Sequence, residues 1–209
     1  MYLRSLLISF LVTAFFSVNA LAQGSPNVTL LANVDQYGST GYNDIWGYTA
    51  PDGREYAFLG ILNGTSIIDI TDTSNPVEIN FIPSPSSTWK DIKTYQTYCY
   101  VVNETSGGIQ IIDLSDLPNS ANLITSSNLL SASHNIYVDE PAGILYAEGE
   151  GGVGVRIISL ADPVNPVQIA SINGQCHDIY AQNDLLVVSE GTTGSFGFYD
   201  MSNPANPTF

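Results

Sequence analysis

Basic residues are scarce in this sequence: five Lys and Arg stand against 20 Asp and Glu, for a formal net charge of −15. Holding a phosphate backbone takes a Lys/Arg surface. Arg54, Lys90, Lys93 and Arg156, the basic residues beyond the N-terminus, cannot supply one, so nucleic acid is excluded as a partner class. Cysteine is as sparse, with only Cys99 and Cys176, which excludes a disulfide-dense miniature scaffold and leaves the core to apolar packing. No Cys-x-x-Cys pair and no Gly-x-Ser-x-Gly elbow occur, removing the commonest structural-zinc and serine-hydrolase readings. Helical periodicity of useful length is missing outside the first residues. The run Gly149-Glu150-Gly151-Gly152-Val153-Gly154 opens no helix and lies in no βαβ unit, so it is no dinucleotide loop.

What is present begins with an export signal. Arg4 forms a short positive region, Leu6 to Val18 is apolar apart from Ser and Thr, and Ala20-Leu21-Ala22 is a small-x-small cleavage site. The apolar stretch falls short of the roughly 20 residues that span a bilayer. Residues 1–22 are therefore expected to be a removed signal peptide. The mature chain then starts at Gln23, has no membrane span, and is secreted to the extracellular space or the cell surface.

The mature chain repeats itself. Asn43-Asp44-Ile45, Lys90-Asp91-Ile92, His134-Asn135-Ile136 and His177-Asp178-Ile179 open four segments, with Asp44, Asp91, Asn135 and Asp178 spaced 47, 44 and 43 residues apart. Each segment holds short β-branched and aromatic runs divided by Gly, Asn, Asp and Pro turns. This is the pattern of a four-stranded propeller blade. The expected fold is all-β: a β-propeller of four-stranded antiparallel blades over 23–209, with repeats at about 43–86, 87–132, 133–175 and 176–209. Segment 25–34 resembles an outer strand (compare Ser25-Pro26-Asn27-Val28-Thr29-Leu30-Leu31 with Asn75-Pro76-Val77-Glu78-Ile79-Asn80-Phe81) and is expected to close the ring as an orphan outer strand. A closed four-repeat ring and an incomplete ring of more blades both remain open. Cys99 and Cys176 fall two blades apart, so no bridge is expected between them.

Ile67-Ile68-Asp69-Ile70-Thr71-Asp72-Thr73-Ser74-Asn75-Pro76-Val77 and Ile157-Ile158-Ser159-Leu160-Ala161-Asp162-Pro163-Val164-Asn165-Pro166-Val167 resemble the LVIVD repeat. Together with Asn43-Asp44-Ile45-Trp46-Gly47-Tyr48, Trp89-Lys90-Asp91-Ile92-Lys93 and Ser133-His134-Asn135-Ile136, they resemble the choice-of-anchor B family of secreted bacterial proteins. The resemblance implies an exported propeller held at the cell surface, with no established activity.

Blade geometry predicts that first-strand starts and second-strand ends meet on one face. That face would collect Asp44, Lys90, Asp91, His134, Asn135, His177 and Asp178 from the first set, and Glu104, Glu148 (or Glu150) and Glu190 from the second. These are the candidate ligand-binding residues; no catalytic residue is assigned. His134, His177, Asp91 and Asp178 are the candidate metal ligands, for calcium or a transition metal, because imidazole and carboxylate suit both. The repeated aspartates have an equally simple structural use, bonding backbone N–H groups of the neighbouring blade. The leading functional expectation is a non-catalytic propeller that binds an extracellular protein or glycan through this face. The alternative is a metal-dependent hydrolase or lyase with a cation at the channel mouth.

Overall fold

A computed structural model describes residues 27–209; the expected leader at 1–22, and Ser25 and Pro26, lie outside the described residues. The first blade comprises β1 (Tyr42–Thr49), β2 (Glu55–Ile61), β3 (Gly64–Asp69) and β4 (Val77–Pro83). The second holds β5 (Lys90–Tyr95), β6 (Tyr98–Asn103), β7 (Ile109–Asp113) and β8 (Asn122–Ser127). The third holds β9 (Ile136–Asp139), β10 (Ile144–Glu148), β11 (Val153–Ser159) and β12 (Val167–Asn173), and the fourth β13 (Asp178–Gln182), β14 (Leu185–Ser189) and β15 (Phe196–Asp200). Every sheet is an antiparallel meander in chain order, so the expected propeller of antiparallel blades is what forms. Among the described residues no helix is long and apolar enough to cross a membrane.

Local chemistry explains the turns and the twist. Asp69, Asp113 and Asp200 each accept the backbone N–H two residues on, from Thr71, Ser115 and Ser202, closing Asx turns where the third strand ends. Asp72 and Asp162 do the same ahead of the Asn-Pro steps. Register shifts recur at Ile67/Ile68, Ile111/Ile112 and Ile157/Ile158, against the outer strand of each full blade. These bulges sharpen the twist at the rim.

Packing follows the period-2 alternation of the strands. In β6, Cys99 and Val101 join a core with Tyr56, Phe58 and Ile67 of the first blade. Tyr100 and Val102 of the same strand point the other way, into a core with Ile136, Leu145 and Ile158 of the third. A third core joins Tyr146, Val155 and Ile157 to Ile179, Leu186 and Val188 of the fourth blade. The core thus lies between blades, and the inner strands pack in order, β1 on β5, β5 on β9 and β9 on β13.

Carboxylates fasten two of these junctions. Asp44 Oδ2 accepts the Ile92 N–H at 2.8 Å, and Asp91 Oδ2 accepts the Ile136 N–H at 2.7 Å. Asp91 is buried, and its second oxygen takes the Ile92 N–H at 2.9 Å and pairs with Lys93 Nζ. At the third junction Asn135 replaces the acid; its Oδ1 is buried without a hydrogen-bond partner, and Ile179 N–H turns to Asp178 Oδ1 of its own blade at 2.8 Å.

The expected outer strand at 25–34 is corrected: residues 28–35 form no strand, and Val28, Leu30 and Leu31 are exposed. The outer position of the fourth blade is begun by its own repeat instead, where Thr208 bridges Asp200. Asn206-Pro207-Thr208 follows Asp200 by a short turn, so it reaches that edge at a smaller loop-closure cost than a segment far away in sequence. Cys99 and Cys176 are free thiols, as their separation implied.

Replacing Asp91 by Ala strands the buried Ile136 N–H and the Lys93 ammonium together. The expected loss is about 3–5 kcal/mol, seen as a fall in melting temperature on the order of 10 °C. A loss below about 1 kcal/mol in a calorimetric or denaturant titration would remove the clamp from this account.

Candidate functional site

The first-strand starts and second-strand ends do share a face. Lys90 is opposite Asn103 and Asp178 opposite Ser189, while Glu148 N–H bonds Asn135 O and His177 N–H bonds Ser189 O. On this face the two histidines meet, with ring centroids 4.7 Å apart. His134 Nδ1 lies 2.6 Å from Glu104 Oε1, and its backbone N–H donates to Glu148 Oε2 at 2.9 Å. Trp89, 53% exposed, stands edge-on to His134 at 6.1 Å.

Two adjoining cavities open here. One of about 450 Å³ is lined by Glu104, Ser133, His134, Glu148 and His177. The other, about 890 Å³, is lined by Glu148, His177, Ser189, Glu190 and Gly191 among others. Gly191 holds a left-handed φ of 55°, and a Cβ there would sit 3.1 Å from His177 Cβ, so glycine lets this loop close on the histidine. Glu190 Oε2 accepts the Ser195 hydroxyl at 2.6 Å, which ties the loop together.

Burial raises the pKa of Glu148; the His134 N–H and the two imidazoles pull the other way, and Glu104 adds to the rise. Glu150, the alternative to Glu148, lines the smaller cavity together with both histidines. It clasps Ser131 N–H and Oγ and Ala132 N–H, which lowers its pKa.

Three expected members of the site point elsewhere. Lys90 is buried, with Nζ on Pro85 O at 3.2 Å and its pKa pushed down to about 8 by burial, so it offers no exposed cation. Asp44 and Asp91 are occupied by the backbone of the next blade. The expected metal set of His134, His177, Asp91 and Asp178 therefore does not assemble, and among the described residues no three His, Cys, Asp or Glu side chains converge as a metal-ligand group. Asp178 is exposed and bonded to its own strand.

The far ends of the same inner strands carry something the sequence reading overlooked. A cavity of about 550 Å³ there is lined by Trp46, Lys93, Tyr137, Asp139 and Gln182 among others. Trp46, Lys93, Tyr137 and Tyr180 each stand two residues after the repeat's anchor position, so the signal was present in the register. Lys93 Nζ sits 4.6 Å above the Trp46 ring, and Tyr137 and Tyr180 pair at 5.1 Å.

Residues 54–82 and 88–128 match the LVIVD repeat model, so the first two blades carry LVIVD repeats. No curated protein matches the chain. Among solved structures it is similar to a candidate 6-phosphogluconolactonase from Bacteroides uniformis, at 14% identity and TM-score 0.60 over 78% of this chain and 53% of that one. A Lactobacillus plantarum protein gives 11% identity and TM-score 0.63 over 80% and 53%. A second candidate 6-phosphogluconolactonase, from Bacteroides fragilis, gives 14% identity and TM-score 0.62 over 80% and 52%. The chain spans about half the length of these proteins, and at such identities the likeness is one of fold.

Asp44 provides a pH test of the face. Burial first, then the neighbouring Asp91 charge, push its pKa from 3.8 to about 6, against the pull of Lys93. Between those values the folded chain keeps a proton that the unfolded chain has released, so stability falls as pH rises through this window. Asp44→Asn keeps an acceptor for Ile92 N–H and carries no charge. Its melting temperature is expected to exceed that of the parent at pH 7, with the margin vanishing as pH falls to about 4; a margin independent of pH would contradict the assignment.

Proposed function

We propose that this chain is an exported, non-catalytic recognition propeller that holds a glycan at the mouth carrying His134 and His177. The observation that supports it is the meeting of those two side chains, from equivalent places of successive repeats, beside an exposed Trp89 and above open cavities. Sugar hydroxyls need partners that both donate and accept, which imidazole, carboxylate and hydroxyl groups provide. The apolar face of a sugar ring needs an aromatic platform with a polar edge, and an exposed tryptophan has that form. A rigid ring with variable loops suits this use. The resemblance to secreted choice-of-anchor B proteins and the leader-like residues 1–22 support the extracellular setting. The lactonase description belongs to neighbours alike only in fold, and a shared fold assigns no chemistry.

A glycan array probed with the purified mature chain is expected to show binding. Trp89→Ala, and separately the double change His134→Ala/His177→Ala, should weaken it at least about tenfold while the far-ultraviolet circular dichroism stays unchanged. Failure to retain any glycan, with capture of a protein partner at the same face, would replace the glycan by a protein ligand.

Expression with residues 1–22 in a bacterial host should deliver the chain outside the cytoplasm with Gln23 as its first residue. N-terminal sequencing that finds Met1 in a membrane fraction would sink the export reading.

A further inference from the structure

Charge is one-sided at the mouth that carries His134 and His177. Glu104, Glu148 and Glu150 line the smaller cavity with the two histidines, and Glu148 and Glu190 line the larger one with His177. Among the described residues no Lys or Arg lines either cavity. Lys90, which stands at this end of β5, is buried with Nζ on Pro85 O. Arg156, whose charge reaches Glu150, gives Nη1 to Gln168 Oε1 at 2.9 Å. Even with both imidazoles protonated, two positive charges would face four carboxylates. The cavities lie over junctions whose two sides are both built by this chain, second blade on third and third on fourth.

The fold leaves part of each carboxylate unused. Glu104 meets His134 Nδ1 through Oε1, and Glu148 accepts the His134 N–H through Oε2. Glu190 holds Thr193 and Ser195 through Oε2 alone. Glu104 Oε2, Glu148 Oε1 and Glu190 Oε1 accept no hydrogen bond among the described residues. Glu148 lines both cavities, and its burial, with Glu104 adding to the effect, raises its pKa against the pull of the His134 N–H and the imidazoles. A carboxylate already short of hydration gains more from a nearby cation than a fully solvated one does. A ligand carboxylate or sulfate meets the opposite conditions, repulsion from the glutamates and no free cation to take its charge. An ammonium group brings three N–H donors together with a positive charge. The ring of Trp89, exposed beside His134, attracts a cation as well as the apolar face of a sugar.

Given a glycan at this mouth, the reading on which this step rests, we infer that it is an amino sugar, an oligosaccharide whose free ammonium group lies against Glu104 and Glu148 while a sugar ring lies by Trp89. Neutral sugars satisfy the hydroxyl partners but leave the carboxylate charge unmatched. Uronates and sulfated sugars add to it. Only a cationic sugar uses the aromatic ring, the open acceptors and the charge together.

The test is isothermal titration calorimetry of the purified chain with a glucosamine tetramer, its fully N-acetylated counterpart and a galacturonate tetramer. The glucosamine tetramer is expected to bind at least about tenfold more tightly than the N-acetylated one, and the galacturonate tetramer to give no heat of binding. Glu148→Gln keeps an acceptor for the His134 N–H and removes one charge; it should bring the ratio between the first two probes to about threefold or less. Glu55→Gln removes the same charge at an exposed site at the opposite end of β2, and should leave the ratio unchanged, which separates the mouth from the general acidity of the chain. No binding of the glucosamine tetramer, equal or tighter binding of either other tetramer, or an unchanged ratio in Glu148→Gln would overturn the inference. The glycan reading then stands if an array retains any glycan and falls if it retains none. Tighter binding of tetralysine than of the glucosamine tetramer would give the mouth to a basic peptide, against both.

Discussion

The constraint on which the rest of the molecule depends is that a blade is apolar on both faces and can bury neither by itself. Alternate residues of one strand, Cys99 and Val101 against Tyr100 and Val102, enter two different cores. Stability in such an array is a sum of neighbour interfaces more than of blade interiors. Burying the aromatic and branched side chains of one junction, among them Tyr56, Phe58 and Ile67, outweighs any single surface ion pair, since each buried side chain contributes roughly 1.5–3 kcal/mol and an exposed pair about 0–1 kcal/mol. The Asp44 and Asp91 clamps add direction to this burial: a carboxylate that must find one particular N–H sets the height at which blades meet.

That setting of height is what assembles the face with His134 and His177. Neither histidine is near the other in sequence, and each enters the face one residue before an anchor position. When the anchors are level, residues before them are level, and the rings come within 4.7 Å. Carboxylates gather around them by the same geometry from the second-strand ends, Glu104 and Glu148 directly and Glu190 by way of its loop. The chain's excess of acid is therefore spread between two tasks. Buried aspartates hold blades together, and half-exposed glutamates surround a pair of bases. Asp44, with its pKa raised by burial and by Asp91, shows that the first task has an energetic cost.

Much of the fold was legible because a repeat exposes its own register. The period and the strand runs are written four times and the Asn-Pro turn in three of the repeats, and each of the four runs that open a repeat contributes to the first strand of its blade. The meeting of His134 with His177 was legible for the same reason. What could not be read was the direction of individual side chains. Lys90 is polar and stands at the mouth in sequence, yet it bends inward to Pro85 O. Asp91 has the same composition and register as a metal ligand would, and only the position of the Ile136 N–H distinguishes the two uses. Residues 27–34 resembled an outer strand by composition, but composition does not say which segment reaches an edge first; Thr208, close in sequence, does.

The departure at Asn135 shows how the two roles of the anchor position are separated. An acid there would complete a third clamp to Ile179 N–H, but it would also stand beside His134, within the field of Glu148 and Glu104, where a further buried negative charge is costly. The amide leaves Oδ1 unpaired and gives up one crossing bond, a loss of about 1 kcal/mol. The weakest-fastened junction is thus the one beneath the mouth, between the third and fourth blades that carry His134 and His177, and there packing of Tyr146 and Ile157 against Ile179 and Leu186 takes over the work that Asp44 and Asp91 share with the core elsewhere.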